Sequence, residues 1–337
     1  MNGVLPYRYL NELGVPNPGP ASFDLEHGEI FRIHQPYWDA TFRYLSPEER
    51  DQFTVSPDSF RQNLIPFRGK WIRGGMFFTE QKIPDVAEQF DQFVGTRSNI
   101  ARAGMMAKVL KSVDYKKRNT PLLLRTYETT IQTPDCPISQ MVLMTRGTKR
   151  LTSNEIRQAL KRGEIRVPAD KIKDYDLHGG ILLGFGKHFT GYTGERIKIG
   201  DLKQQPAKYF ETCSTNGELG LEGKHFYLGY TEDIFIGPKY MGMLFGASDP
   251  REKLVHLNAP IVHPTSEGGQ TLEIYAKIDC SIYTAEPSCK LVLYHLAEEF
   301  TFPETLRGTN TNDGRYCDQR QLDEPRGPGL HKWRPKQ

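Results

Sequence analysis

One acidic residue lies in an otherwise apolar segment of the sequence, where a carboxylate could move protons. Glu273 lies in TLEIYAK, a stretch whose β-branched, aromatic and apolar residues favour a strand. A buried carboxylate at such a position can take a proton from water and return it to another atom. The same pattern suits the exposed position of an edge strand, so the residues alone leave both interpretations open.

Two arginines and a serine lie close together in the first half of the sequence. In GTRSNIARAG, Arg97 and Arg102 flank Ser98 on a predicted tight turn. Guanidinium groups bind phosphate oxygens in bidentate fashion, and a hydroxyl can orient water or a phosphate. The motif therefore indicates either a polyphosphate site or a solvated loop with a surface arginine pair.

The composition limits the kinds of ligand that the chain can bind. Its length of 337 residues predicts two domains of ordinary size. Lys plus Arg total 44 and Asp plus Glu total 41, and the net charge of +3 does not give the strong basic field that nonspecific nucleic-acid binding needs. We expect a small anionic ligand held by a few local cations, and no nucleic-acid partner.

Neither a targeting segment nor a metal-binding motif is recognisable in the sequence. The segment MNGVLPYRYLNELG lacks a basic flank before an apolar core, and no later stretch is apolar enough to cross a bilayer, so we expect a soluble, cytoplasmic protein without a membrane partner. The five cysteines never form a CxxC pair, which argues against a disulfide framework and a thiolate zinc site. The signature of zinc-dependent nucleobase deaminases is also missing from the sequence, so base deamination by this chain would be zinc-independent, and we predict no protein-bound metal.

The predicted secondary structure is mainly β, with a few short helices. Segments such as QMVLM, QTLEIYAKI and CKLVLYHL are rich in β-formers and bounded by turn residues, which is typical of a barrel or sandwich. Three segments predict short helices: ERDQFTVSPDSFRQNL, PDVAEQFDQF and SNEIRQALKRG. In the last of these, Ser153 is the predicted cap and Gly163 ends the helix.

Two blocks of the sequence place similar residues in the same order, which indicates a tandem duplication. Residues 67–98 and 221–249 each begin near a Gly-Lys pair, continue through a β-rich stretch that contains a proline, and end on a glycine closely followed by a serine. The polar segment around residues 146–150 is the predicted boundary. We predict a first domain over 1–148, a second over 149–302 and a C-terminal lid or tail over 303–337.

Five segments, taken in order along the chain, resemble the motifs of one enzyme family. In the first half they are PASFDLEHGEIFRI and GTRSNIARAG, and in the second half LTSNEIRQALKRGEIRV, LNAPIVHPTSEGGQTLEIYAK and GRYCDQR. Their shared order is similar to that of the dCTP deaminases, in the dCTP deaminase and dUTPase superfamily. The chain resembles a tandem two-domain form of these enzymes.

The resemblance implies a fold, a reaction and a set of site residues. The implied fold is two tandem dUTPase-like β-barrel, or β-clip, domains, and the implied reaction is hydrolysis of dCTP to dUTP and ammonia, with Mg²⁺ carried by the triphosphate. Glu273 falls on the family's catalytic glutamate and would be the proton shuttle. The other implied site residues are Ser98 and Ser248, which would orient the water, and Arg97, Arg102, Arg251, Ala259, Arg315 and Gln319, which would bind substrate. The implied assembly is a homo-oligomer, either a trimer or stacked trimers.

Several positions depart from the family pattern. Arg125 is the first-half counterpart of Glu273, and a guanidinium cannot act as a base at physiological pH, so we expect the first domain to lack deaminase chemistry. In the second half, Ala247 and Glu252 replace expected arginines, and His263 replaces an expected aspartate. These departures leave open a dUTP diphosphatase, a bifunctional enzyme or a noncatalytic nucleotide-binding protein.

The phosphate motif is better preserved in the first half, and the base motif in the second. Sites of this superfamily lie between neighbouring barrels, so a composite site would join residues 97–102 to Ala259 and Glu273. A ring of three barrels cannot alternate two kinds of domain around a threefold axis. The other arrangement, stacked rings of one domain kind in which Ser248 and Arg251 work with Glu273, therefore stays open.

Overall fold

The computed structural model describes residues 2–38, 49, 55–110, 119–168, 180–203, 206–214, 217–246, 254–256, 261–284 and 287–301. Its strands, numbered in chain order, are Phe23–Leu25 (β1), Phe31–Ile33 (β2), Leu64–Pro66 (β3), Trp71–Lys82 (β4), Asp91–Thr96 (β5), Met105–Val109 (β6), Asn119–Gln132 (β7), Ser139–Met144 (β8), Ile165–Arg166 (β9), Ile181–Tyr192 (β10), Phe210–Ser214 (β11), Glu218–Leu221 (β12), Phe226–Thr231 (β13), Ile234–Ile236 (β14), Tyr240–Gly246 (β15), Leu254–His256 (β16), Ile261–Val262 (β17), Glu267–Gly268 (β18), Thr271–Ala276 (β19), Cys280–Tyr283 (β20) and Pro287–His295 (β21). The helices are Tyr7–Glu12, Gln35–Trp38, Pro57–Arg61, Ser98–Arg102, Ser153–Lys161 and Pro206–Tyr209, with 3-10 turns at Asp85–Gln89 and Ile199–Lys203.

The mainly β prediction is confirmed, and the three strand segments named above become β8, β19 and β21. The helix predicted within residues 84–93 is confirmed only in part: Asp85–Gln89 forms a short 3-10 helix, and β5 begins at Asp91. Strand β5 pairs along its whole length with β8, and this long-range pairing overrides the weak local preference for helix.

The helix Ser153–Lys161 is confirmed, but its cap lies one residue earlier than predicted. Thr152 is the N-cap; its Oγ1 accepts a hydrogen bond from the Glu155 backbone N–H at 3.4 Å, and the Glu155 carboxylate accepts one from the Thr152 backbone N–H at 2.6 Å. This reciprocal capping box satisfies two N–H groups of the first turn. Gly163, with a φ of +69°, follows the end of the helix.

The two halves of the chain have corresponding strand orders. In the first half, a five-stranded sheet of order β3-β2-β4-β7-β6 is accompanied by a three-stranded sheet of order β1-β8-β5. In the second half, one set of strands has the order β11-β10-β13-β19-β16. The long strand β10 also belongs to a second set, of order β10-β21-β15-β17. The long strand β10 pairs with both β13 and β21, whereas in the first half β2 pairs with β4 and the separate strand β1 pairs with β8.

A hydrophobic cluster joins the two halves. It contains Ile100 and Leu124 from the first half and Phe226 and Leu228 from the second, and all four side chains are fully buried. Burying a side chain of this size contributes about 1.5–3 kcal/mol. The cluster therefore holds the two halves in a defined arrangement within one chain.

Backbone hydrogen bonds reinforce this contact between the halves at two places. Ile131, in β7, forms a parallel bridge with Ile197, and the Ile197 backbone N–H donates to the Thr130 carbonyl at 2.8 Å. Near the N-terminus, the Val4 backbone N–H donates to the His295 carbonyl at 2.8 Å.

Among the described residues, no helix combines the length and apolar character that crossing a membrane requires.

Candidate functional site

Strand β19 places Glu273 inside the protein, on the side of the sheet away from the second-half core. The strand lies between β13 and β16, and Glu273 is paired with Leu228 of β13. Leu272 and Ile274 belong to the core of the second half. Because side chains alternate between the two faces of a strand, Thr271 and Glu273 lie together on the opposite face. The side chain of Glu273 is only 1 % exposed.

The short helix Ser98–Arg102 is held against β7 by its C-terminal glycine. Gly104 has a φ of +82°, which favours glycine, and a Cβ at this position would lie 2.6 Å from the side chain of Thr129. Thr129 also donates a hydrogen bond from its Oγ1 to the Ala103 carbonyl at 2.8 Å. Ile100 of the same helix is fully buried in the shared cluster, which fixes the helix at the contact between the two halves.

Arg102 extends from this helix to strand β19. Its Nη2 donates a hydrogen bond to Oγ1 of Thr271 at 3.1 Å, and its Nε lies 3.9 Å from Oε1 of Glu273. The second distance is an ion-pair contact rather than a direct hydrogen bond. The Arg102 side chain is only 20 % exposed, so the two charges interact in surroundings that screen them less than bulk water does.

The other two residues of the arginine motif lie close to Arg102 in the chain but differ in their surroundings. Ser98 is four residues before Arg102 in the same helix, which places both side chains on one face. Arg97 forms an ion pair with Asp24 in β1, with Nε 3.0 Å from Oδ1. Burial raises the pKa of Asp24, and the nearby Arg97 charge opposes this rise.

Arg125 occupies different surroundings from Glu273. The residues that precede them, Leu124 and Leu272, are both fully buried, but the side chain of Arg125 is exposed. Its guanidinium carbon lies 4.9 Å from the ring centroid of Tyr127, in a cation–π contact. Arg125, which the resemblance aligns with Glu273, is thus an exposed arginine stacked on Tyr127.

His263 is buried at the position where the resemblance expects an aspartate. Its burial lowers its pKa from 6.5 to about 4, so the imidazole is neutral at neutral pH. A neutral ring here does not supply the negative charge of an aspartate.

The structure brings only some of the predicted site residues together. Arg102 and Glu273 meet, and Ser98 lies on the Arg102 face of its helix. Sequence reasoning missed Thr271, although its position two residues before Glu273 in a predicted strand places both on one face. The predicted site residues Ser248, Arg251, Ala259, Arg315 and Gln319 lie outside the described residues. Within the described part of the chain, no group of three or more His, Cys, Asp or Glu side chains is placed to hold a metal ion.

Comparison with solved structures identifies the fold. The structure is similar to the crystal structure of 2'-deoxycytidine 5'-triphosphate deaminase from Agrobacterium tumefaciens, with a TM-score of 0.68 and 15% sequence identity. The match covers 89% of this chain and 99% of that chain. No family model and no curated protein matches the sequence. The chain therefore has a fold similar to that of a dCTP deaminase, and the predicted mainly β fold class is confirmed. The tandem two-domain form stays a prediction.

Proposed function

We propose that this chain hydrolyses the exocyclic amino group of a cytosine deoxynucleotide, converting dCTP to dUTP and ammonia. The observation that carries the proposal is the contact of Arg102 with the buried Glu273, because it joins a phosphate-type motif of one half to a carboxylate of the other. The dCTP deaminase-like fold supports the same reaction class. We further propose that the corresponding strand orders of the two halves reflect a tandem duplication.

The reaction needs one group that can accept a proton and deliver it again, and Glu273 is the proposed group. As water attacks C4 of cytosine and the C4–O bond forms, Glu273 takes one proton from the water and passes it to N3. It then takes the proton of the new C4 hydroxyl and delivers it to the amino nitrogen. The C4–N bond breaks, ammonia leaves, the C4 carbonyl of uracil forms and Glu273 is ionised again.

Arg102 and Ser98 have supporting roles in this proposal. The guanidinium charge beside Glu273 favours the ionised carboxylate, which is the form that takes the proton. Ser98, on the same face of the helix as Arg102, would orient the attacking water. Arg97 would contribute to phosphate binding, and Mg²⁺ would arrive with the triphosphate as part of the substrate.

The contact within one chain favours the composite site over the arrangement of stacked rings. Arg102 belongs to the first half and Glu273 to the second, and they meet without a second chain. The remaining proposed contacts of the composite site are Ala259 to the base, and Arg315 and Gln319 to the phosphates as the tail closes over the site. Ser248 and Arg251 would work with Glu273 only in the alternative arrangement of stacked rings. A homo-oligomer would then assemble from chains that each hold their own Arg102 and Glu273.

The decisive measurement is ammonia release and product identity with dCTP and Mg²⁺, for the wild type beside Glu273→Gln. Glu273→Gln removes the proton shuttle and is expected to lower kcat by about 10²- to 10⁴-fold. The wild type is expected to form dUTP and ammonia. Arg125→Gln is the matched control from the first half. Tight dCTP binding without turnover would support a noncatalytic nucleotide-binding protein instead. Pyrophosphate release from dUTP would support a diphosphatase or a bifunctional enzyme.

A further inference from the structure

Arg102 is a long side chain that must hold one orientation to serve the proposed site. Its flexible stem carries about 2 kcal/mol of rotamer entropy when it is unrestrained. Its helix has five residues, so the backbone restrains only the start of the side chain. An anchor at the far end of the side chain is therefore needed to keep the guanidinium beside Glu273.

Thr271 supplies that anchor in the structure. Its Oγ1 accepts the hydrogen bond of Arg102 Nη2 at 3.1 Å, across the boundary between the two halves of the chain. In a guanidinium group, Nε–H and one Nη2–H point out from the same edge. This edge of Arg102 faces β19: Nη2 donates to Thr271, and Nε lies 3.9 Å from Oε1 of Glu273.

We propose that Thr271 is a positioning residue that fixes the Nε–Nη2 edge of Arg102 on β19 and so holds the guanidinium beside Glu273. This inference rests on the proposed function for its effect on turnover. Thr271 lies opposite Tyr230 of β13, and this pairing helps to fix its backbone position. A β-branched residue in a strand also has a restricted χ1, which holds its hydroxyl in one direction.

A purely structural role for Thr271 makes a different prediction. Valine has the same shape and an equal or better preference for strands, but lacks the hydroxyl. If Thr271 serves only the sheet, Thr271→Val would be harmless. If it positions Arg102, Thr271→Val would weaken turnover, and Thr271→Ser, which restores the hydroxyl, would recover most of it.

The experiment measures kcat and KM for dCTP deamination in Thr271→Val, Thr271→Ser, Arg102→Gln and the double variant Thr271→Val/Arg102→Gln. A hydrogen bond to a charged group corresponds to a loss of about 10- to 100-fold when it is removed, and we expect this loss in kcat, with KM nearly unchanged. Because Thr271 acts through Arg102, the double variant should be no slower than Arg102→Gln alone. Normal kcat in Thr271→Val, or multiplying losses in the double variant, would overturn the inference.

A structural measurement separates this inference from the proposed function. Crystal structures of the wild type and Thr271→Val would give the position of the Arg102 guanidinium directly, whether or not the chain deaminates dCTP. A guanidinium displaced from β19 in the valine variant would support the positioning role, and an unchanged guanidinium would refute it. An inactive wild type would refute the proposed function alone.

Discussion

The two halves of this chain have corresponding strand orders, but they use the equivalent strands β7 and β19 differently. In the second half, β19 carries Glu273 into a buried contact with Arg102. In the first half, β7 carries Arg125 to the surface, where it stacks on Tyr127. Both strands also contribute to a hydrophobic core, since Leu124 and Leu272 are fully buried. Two sheets with corresponding strand orders can therefore carry residues of different chemistry on equivalent strands.

The halves also differ in what they contribute to the proposed site. The first half provides the helix Ser98–Arg102, and the second half provides the strand with the carboxylate. A second site, with the helix from the second half and the strand from the first half, would require a carboxylate in place of Arg125. We therefore propose one deaminase site per chain, and the following experiments test this division of roles.

The largest expected difference is between two arginines of the first half. Arg102→Gln should lower kcat/KM for dCTP by at least about 100-fold, because it removes the positive charge beside the proton shuttle. Arg125→Gln should leave kcat/KM nearly unchanged and lower the free energy of unfolding by about 0.5–1 kcal/mol, the value of an exposed cation–π contact. Steady-state kinetics and urea unfolding measure both effects. Equal catalytic losses in the two variants would show that the halves are not specialised in this way.

Mixing two inactive variants tests whether the site lies within one chain. Arg102→Gln and Glu273→Gln chains, unfolded together and refolded at equal amounts, should give no deaminase activity above that of the separate variants. If Arg102 and Glu273 of different chains formed the site, random assembly would restore about one quarter of the wild-type sites. Refolded wild type is the control, and recovery of activity in the mixture would contradict the single-chain site.

A further prediction concerns stability rather than turnover: the buried His263 of the second half should destabilise the folded chain in acid. His263 in the second half has a pKa of about 4, against 6.5 in its ordinary state, because it is buried. The unfolded chain therefore binds more protons than the folded chain between these two values, and stability falls as the pH is lowered from 6.5 toward 4. The loss is on the order of 3 kcal/mol. Urea unfolding of the wild type and His263→Gln between pH 7 and pH 4 would test this; equal pH dependence in both would contradict it.

Part of the structure could be predicted from local sequence patterns, and part could not. Strands β8, β19 and β21 follow from short segments of β-forming residues between turns. The segment after Pro84 shows the limit, because its local helical pattern is weaker than the pairing of β5 with β8. The ion pair between Arg97 and Asp24 joins two motifs that the sequence shows only as separate segments.

The sequence by itself determined the mainly β fold class and the two motifs that carry Arg102 and Glu273, because periodicity, turn residues and motif order are local properties of the chain. Only the tertiary structure decided that Arg102 reaches Thr271, which lies 169 residues away. Only it decided that Glu273 is buried in this contact while Arg125 is exposed. The physical reason is that such contacts depend on how two sheets dock through a shared hydrophobic cluster, and no local pattern of residues specifies that docking.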